Sequence, residues 1–406
     1  MRIRCSIVSL AILAAAVSLA GCSPSKSGVK NRQAANDRMN VVAAQINLEQ
    51  AEQFFSTGQL DEALREIDRA IARYPDAGEY HLMRGRILLE QAKLEQSLDA
   101  FTTALEKNPK LADAHYYAGV IYQRWSDDEQ AHTCYQAAFD LQPEKVHYLL
   151  ASAEALVAMG EFDRAEELID PKMAYFEHNA SLRQLQAQIA MLKGEPKRSA
   201  EMYAEARLLN PDDSSLLEEM IWAQYAAGMY SQCYESASMM QAKSTQPRTD
   251  LTHLQARCLA MMGRGVEARE LYLQLVKTRS ADPSVWSELG TLCWELGDYR
   301  NLAQSSTQMI AIAPDRYEGY LFRAVNERHK GNNAEAQRLL KEACRRAGGI
   351  SLPFLMLGQS LEQSGDNDGA ALAYNQALQV DPDSAEAKAL LSRLNGEQQI
   401  SEAPEP

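Results

Sequence analysis

The sequence predicts an all-α fold, an α-solenoid of about ten helical hairpins closed by a capping helix. Three observations predict it. Prolines recur with a period of 34 residues along the chain. Small and large side chains recur at fixed positions of the same frame. No strand is predicted anywhere, so nothing competes with helical pairing.

The prolines set the frame. Pro75, Pro109, Pro143, Pro211, Pro314 and Pro382 are separated by 34, 34, 68, 103 and 68 residues. These are one, one, two, three and two periods, with one residue inserted. A fixed period of this length is the signature of a repeat architecture, which grows without splitting into domains. With repeats counted from residues 44, 78, 112 and onward, position 8 is small: Ala51, Gly85, Gly119, Ala153, Ala187, Ala256, Gly290, Ala324 and Gly358. Position 15 is Gly in eight repeats, at Gly58, Gly160, Gly194, Gly228, Gly263, Gly297, Gly331 and Gly365. Position 20 is small again, as in Ala63, Ser97, Ala131 and Ala370. Position 24 is large and apolar, as in Ile67, Phe101, Tyr135, Tyr203, Tyr272 and Tyr374. Position 27 returns to Ala at Ala70, Ala104, Ala138, Ala206, Ala343 and Ala377.

Each residue type suits its place. Small side chains at positions 8 and 20 let two helices approach, and the large one at 24 fills the space beside them. Gly at 15 ends the first helix because it accepts a left-handed cap. Proline at 32 stops the second helix. The preceding Asn or Asp, as in Asn108-Pro109, Asn210-Pro211 and Asp381-Pro382, favours the turn.

This pattern resembles the tetratricopeptide repeat family. The resemblance covers residues 44–384 and is strongest in repeats 2, 3 and 10. It implies a right-handed solenoid of tetratricopeptide hairpins. Repeat 4 departs from the pattern with an early Pro171-Lys172, and repeat 6 has Ile221 where a small residue belongs. The inserted residue falls in 242–248, where a longer loop or a slight break is expected. After the last repeat, Ala385, Ala389, Leu390, Leu391 and Leu394 form one apolar face, the expected capping helix. Four regions follow: a leader over 1–21, a flexible linker over 22–35, the array and its cap over 36–395, and a disordered tail over 396–406. Asn36-Asp37 reads as the cap of the first helix.

The leader has its own logic. Arg2 and Arg4 precede an apolar run, Ser6 to Ala20, too short to cross a bilayer comfortably. It suits the apolar region of a secretory signal. The run ends in Leu19-Ala20-Gly21-Cys22, which resembles the bacterial lipobox. The resemblance implies cleavage before Cys22 and acylation of that residue. Two or more acyl chains anchor a protein stably. Ser23 follows rather than Asp, which leans toward the outer membrane, facing the periplasm. Loss of 1–21 would leave 39 basic against 55 acidic residues, a net charge of −16. Such a surface disfavours nucleic acid and anionic lipid and suits a basic partner. Cys134, Cys233, Cys258, Cys293 and Cys344 are widely spaced, without a C-x-x-C, and read as buried apolar residues.

No catalytic constellation emerges. The chain lacks a nucleophile elbow, a phosphate loop and a dinucleotide fingerprint. Its seven histidines are scattered, with no metal-ligand spacing. Neither an enzyme nor a cofactor is expected. In the family, the first helix of each hairpin lines a concave groove through positions 2, 5, 9 and 12. Carried over, those positions make Arg86, Tyr116, Trp222, Tyr225, Arg257, Trp294 and Arg328 the candidate partner-binding residues, with Glu52, Glu154 and Glu218 as the acidic members. Interfaces are enriched in aromatics and arginine. Trp286 falls on a core position. Position 5 reads Leu48, Leu82, Tyr116, Leu150 and Gln184, so the Lys and Asn clamp of chaperone-binding members is absent.

The expected function is a lipid-anchored scaffold of the bacterial cell envelope, serving assembly or secretion. Its partners would be envelope proteins or peptides, the membrane through its lipid, or copies of itself. An adaptor that recruits a cell-wall enzyme or protease is the alternative. An accessory part of a glycosyltransferase system is a third.

Overall fold

The structure is a computed structural model that describes residues 26–401, with side chains to Leu394. The leader, Cys22 and the last five residues lie outside the described residues. The described residues form an all-α repeat fold of twenty-one α-helices and one short 3-10 turn. Two compact units divide between Ile189 and Ala190.

The first unit holds α1 (Lys26–Ser56), α2 (Leu60–Arg73), α3 (Gly78–Glu90), α4 (Leu94–Lys107), α5 (Ala112–Arg124), α6 (Asp128–Leu141), α7 (Val146–Ala158), α8 (Phe162–Ile169) and most of α9 (Ala180–Leu192). The second holds α10 (Pro196–Leu209), α11 (Ser214–Ala226), α12 (Tyr230–Lys243), α13 (Thr249–Met261), α14 (Gly265–Thr278) and α15 (Pro283–Glu295). It continues through α16 (Tyr299–Ile312), α17 (Tyr317–His329), α18 (Asn333–Arg346), α19 (Leu352–Gln363), α20 (Asn367–Val380) and α21 (Ala385–Ser401). Within each unit, odd-numbered helices up to α19 open the hairpins and even-numbered ones close them.

The tight turn inside each hairpin follows from backbone chemistry. The N–H of position 16 reaches back to the carbonyl of position 11, as in Gln59 to Phe54 at 2.9 Å and Asp366 to Leu361 at 3.0 Å. This six-to-one bond satisfies a carbonyl that the helix end leaves orphaned, and it needs a left-handed residue between. All eight glycines expected there have positive φ, from 68° at Gly297 to 82° at Gly331. In repeats 2 and 3 the same place is taken by Ala92 (φ 58°) and Ser126 (φ 59°), which bear a Cβ in the left-handed region.

Position 8 meets position 24 as expected. A Cβ on Gly85 would come within 2.4 Å of the Phe101 ring, and one on Gly119 within 2.7 Å of the Tyr135 ring. On Gly358 it would come within 2.3 Å of Tyr374. Hairpin 8 solves the same problem differently. Its position 24 is Ser306, and the ring that presses on Gly290, at 2.3 Å from an added Cβ, is Phe322 of α17. Hairpin 6 inverts the sizes: Ile221 is large at position 8, Ala237 is small at position 24, and both are buried.

Several boundaries differ from expectation. The chain is helical from Lys26, so most of the 22–35 linker belongs to α1, and Asn36-Asp37 lies inside a helix rather than capping one. Lys30, Arg32, Gln33, Ala34 and Ala35 are good helix formers, and a helix needs no apolar face to extend past its packed part. At the other end α21 runs to Ser401, so residues 396–401 are helical rather than a disordered tail. The buried face of α21 contains Ala387 and Leu394, with Leu390 and Leu391 half-buried; Ala385 and Ala389 are exposed. Pro171 shortens α8 to 8 residues, and the 3-10 turn Asp170–Lys172 follows it. The inserted residue lengthens the loop over 244–248, as expected, where Arg248 bridges Glu218 at 2.7 Å and Asp250 at 2.5 Å. The division between the units falls elsewhere, inside α9.

The five described cysteines outside the leader are free, with Cys233, Cys258 and Cys293 buried. Burial pushes the Cys134 thiol up to about 11 and those of Cys293 and Cys344 up to about 12, so these three are inert at neutral pH.

Candidate partner-binding face

Two candidate residues fall in the first unit. Arg86 on α3 is half-buried, its guanidinium 5.2 Å from the Phe55 ring and 5.5 Å from the Tyr117 ring. It therefore joins α1, α3 and α5 by cation–π contact. Tyr116 on α5 is part of an aromatic cluster, with Tyr135, Tyr148 and His147 at centroid distances of 5.4, 5.2 and 5.3 Å. Tyr148 donates to Asp113, which Lys145 also approaches at 3.3 Å. Burial raises the Tyr148 pKa, and the bond to Asp113 adds to the rise, so the hydroxyl stays a donor. Tyr116 holds hairpins 3 and 4 together more than it faces solvent.

The other five fall in the second unit. Trp222 on α11 is 46% exposed, the most open candidate ring. Tyr225 lies one turn further along α11, half-buried, with Tyr230 edge-on at 5.8 Å. Arg257 on α13 meets it in a recess of about 480 Å³, lined also by Tyr272, Glu288, Leu292 and Glu295. Trp294 is half-buried and packs on the core of this unit, so it contributes packing rather than an open ring. Arg328 is half-buried on α17 and does not line the recess. Trp286 is buried as expected, its Nε1–H donating to the Ser280 carbonyl at 2.8 Å. Among the acidic members, Glu218 is engaged by Arg248, while Glu52 and Glu154 are exposed.

The recess is organised by a carboxylate that its sequence position did not single out. Glu288 on α15 accepts from Arg257 Nη2 at 2.5 Å, from His253 Nε2 at 2.6 Å and from the Tyr272 hydroxyl at 2.9 Å. Arg279 donates to His253 Nδ1 at 3.1 Å, which assigns the ring's tautomer. Burial pushes the Glu288 carboxyl up, but the hydrogen bonds from His253 and Arg257 and the charge beside it outweigh that and hold it at about 2. Three helices thus share one ionised group. It fixes Arg257 in place beside the half-buried Tyr225 ring on the wall of the recess.

A rule connects this network to the repeat. Tyrosines at position 24 aim their hydroxyls at the partner-binding face. Tyr135 donates to Gln123 at 2.8 Å and Tyr374 to Glu362 at 2.7 Å, each at position 12 of its own repeat. Tyr272 donates to Glu288, and Tyr203 approaches Glu219 at 3.5 Å, each at position 6 of the next repeat. A tyrosine at 24 followed by an acid at 12 or 6 was the signal available for Glu288. His253 sits on position 5 of its repeat, a face position, without an aromatic or arginine identity to mark it.

Comparison with known proteins bears on these repeats. The tetratricopeptide repeat family model matches residues 48–101, 82–124 and 355–399. Over those residues the chain carries tetratricopeptide repeats. Superkiller complex protein 3 of Mus musculus is 22% identical over 267 residues, which are 64% of this chain and 15% of that protein. Superkiller protein 3 of Schizosaccharomyces pombe is 28% identical over 123 residues, 28% of this chain and 9% of that one. The chain therefore spans less than a fifth of either relative. A tetratricopeptide repeat protein from Parabacteroides merdae superposes with a TM-score of 0.44 at 18% identity, over 62% of this chain and 98% of that one. Tetratricopeptide repeat proteins act as protein–protein interaction scaffolds, and the fold is typically non-catalytic.

Proposed function

We propose that this tetratricopeptide chain is a membrane-anchored scaffold of the bacterial cell envelope, and that its second unit docks an extended segment of a partner protein. The observation that carries the docking is the open Trp222 ring, one turn from Tyr225, which itself lines a recess whose polar floor is already satisfied. Rigid aromatic rings beside a fixed arginine give large contact area at low entropic cost, the make-up of interface anchors. The Arg257–Glu288 pair needs no rearrangement to receive a ligand, so binding does not have to break an ion pair first. The anchor rests on Leu19-Ala20-Gly21-Cys22, which supports acylation of Cys22 and placement in the outer membrane facing the periplasm.

Two variants of the full chain test the two halves of this reading. With Trp222→Ala and Tyr225→Ala together, mild crosslinking and co-purification from the native bacterium should lose the enriched partner while the protein stays folded. Recovery of the same partner from that variant removes the recess from the function. With Cys22→Ala, the protein should leave the membrane fraction. A mature Cys22→Ala protein that still sediments with membrane rejects the lipid anchor.

A further inference from the structure

The opening helix carries an apolar stripe that nothing in its own unit covers. The packed side of α1 contains Ala44 and Ala51, with Asn47 donating to Glu66 of α2 at 2.8 Å. The opposite side shows Met39 at 70%, Val42 at 61% and Ile46 at 51% exposure. Together with Ala35 these residues step by four, three and four, which is a heptad seam. Extending that spacing brings Arg32 before the apolar residues and Glu49 after them, both exposed. Neither forms an ion pair within the described residues.

We infer that this face pairs with α1 of a second copy of the chain, antiparallel, in a short coiled coil. The charges choose the occupant and the direction. Residues 26–40 of α1 bear four basic side chains and one acidic, and residues 41–56 bear two acidic and none basic. Antiparallel pairing lays each basic half on the other's acidic half. In the register that sets Met39 against Val42 of the second copy, Ala35 meets Ile46 and Arg32 meets Glu49. Both ends of the seam then close with opposite charges. A parallel pair would stack Arg32 on Arg32 and Glu49 on Glu49, which repel. The seam spans about 25 Å at 1.5 Å per residue, so the dimer is weak in dilute solution and gains from any shared surface that concentrates the copies. This pairing uses no residue of the recess and stands whether or not a partner docks there.

The test uses the full chain in cells and cysteine pairs that read direction. Ala35→Cys and Ile46→Cys, introduced on separately tagged copies, should form a mixed disulfide with mild oxidant. Ala35→Cys alone should form none, because the two sites would lie about 16 Å apart along the pair. Arg32→Glu or Glu49→Arg should each lower the linked fraction about tenfold, and the double exchange should restore it. All four side chains are exposed, so the hairpins fold in every variant. Linking of Ala35→Cys to itself would reverse the direction and overturn the inference. So would the absence of the mixed disulfide, with the Cys22→Ala full chain binding anionic vesicles through this face.

Discussion

Gly119 and Gly290 occupy the same position of their repeats, and an aromatic ring presses on each, but the rings have different origins. On Gly119 it is Tyr135, from the second helix of the same hairpin. On Gly290 it is Phe322, from the first helix of the next hairpin. The repeat demands a volume at one point in space, not a residue at one point in the sequence. Where Ser306 fails to supply it, the neighbour does. At this point hairpin 3 supplies its own ring, and hairpin 8 takes the ring from hairpin 9. Both belong to a fold in which neighbours stabilise one another, but coupling is stronger where a ring crosses the repeat boundary.

The largest effect expected is from Phe322→Ala. Removing a fully buried ring costs about 3–5 kcal/mol. Hydrogen exchange should accelerate in α15 to α18 together, whereas Tyr135→Ala should accelerate it chiefly in α5 and α6. Equal spread of the two effects would erase the distinction between the hairpins. Next comes Gly119→Leu, whose Cβ alone would stand 2.7 Å from the Tyr135 ring. Overpacking there should cost about 3 kcal/mol in urea unfolding, and an unchanged midpoint would mean the frame is misplaced.

Glu288→Gln is third. The carboxyl is held at about 2, below its ordinary 4.5, so it stabilises the second unit above pH 4.5 and stops doing so as pH falls through 2. The variant should be less stable near neutrality by on the order of 2 kcal/mol, the half-buried pair being discounted for solvent screening. The gap should close in acid. A gap independent of pH would assign the residue to packing alone. The smallest effect, and the only gain, is expected from Ser126→Gly. Position 15 of hairpin 3 is left-handed with a Cβ, and glycine should raise stability there by about 0.5–1 kcal/mol. The same change at Ala92 should act alike, and no gain at either would mean the turn tolerates its side chain without strain.

These contrasts mark what could be read from residues alone. The ten hairpins were legible because proline, glycine and alanine each answer to a backbone or packing requirement that recurs every 34 residues. The eight left-handed glycines were legible for the same reason, while Ala92 and Ser126 hid, since nothing in their identity announces a positive φ. Hairpin 6 looked degenerate because Ile221 and Ala237 exchange sizes across two helices, a compensation visible only when both are placed. The first turns of α1 were missed because Asn36-Asp37 imitates a cap and the residues before it show no apolar period. Of the candidate residues, Tyr225 and Arg257 line one recess. Their organiser Glu288 was missed because its partners come from two other helices, a convergence that spacing on any one helix cannot express. Tyr116 and Trp294 were placed on the groove by their position in the repeat, which does not fix exposure; neighbouring rings cover one and the other packs on the core.

The glycine turns leave a last consequence. At Gly58, Gly160, Gly194, Gly263, Gly297, Gly331 and Gly365 an added Cβ would meet no atom within 4 Å. The chain bends there into empty space, held by its own backbone bonds. Each such bend is a point where the gene can acquire new segments without disturbing a helix. A lineage of these proteins can therefore add fingers, tethers or receptor loops one at a time, and lose them again, while the scaffold beneath keeps its spacing.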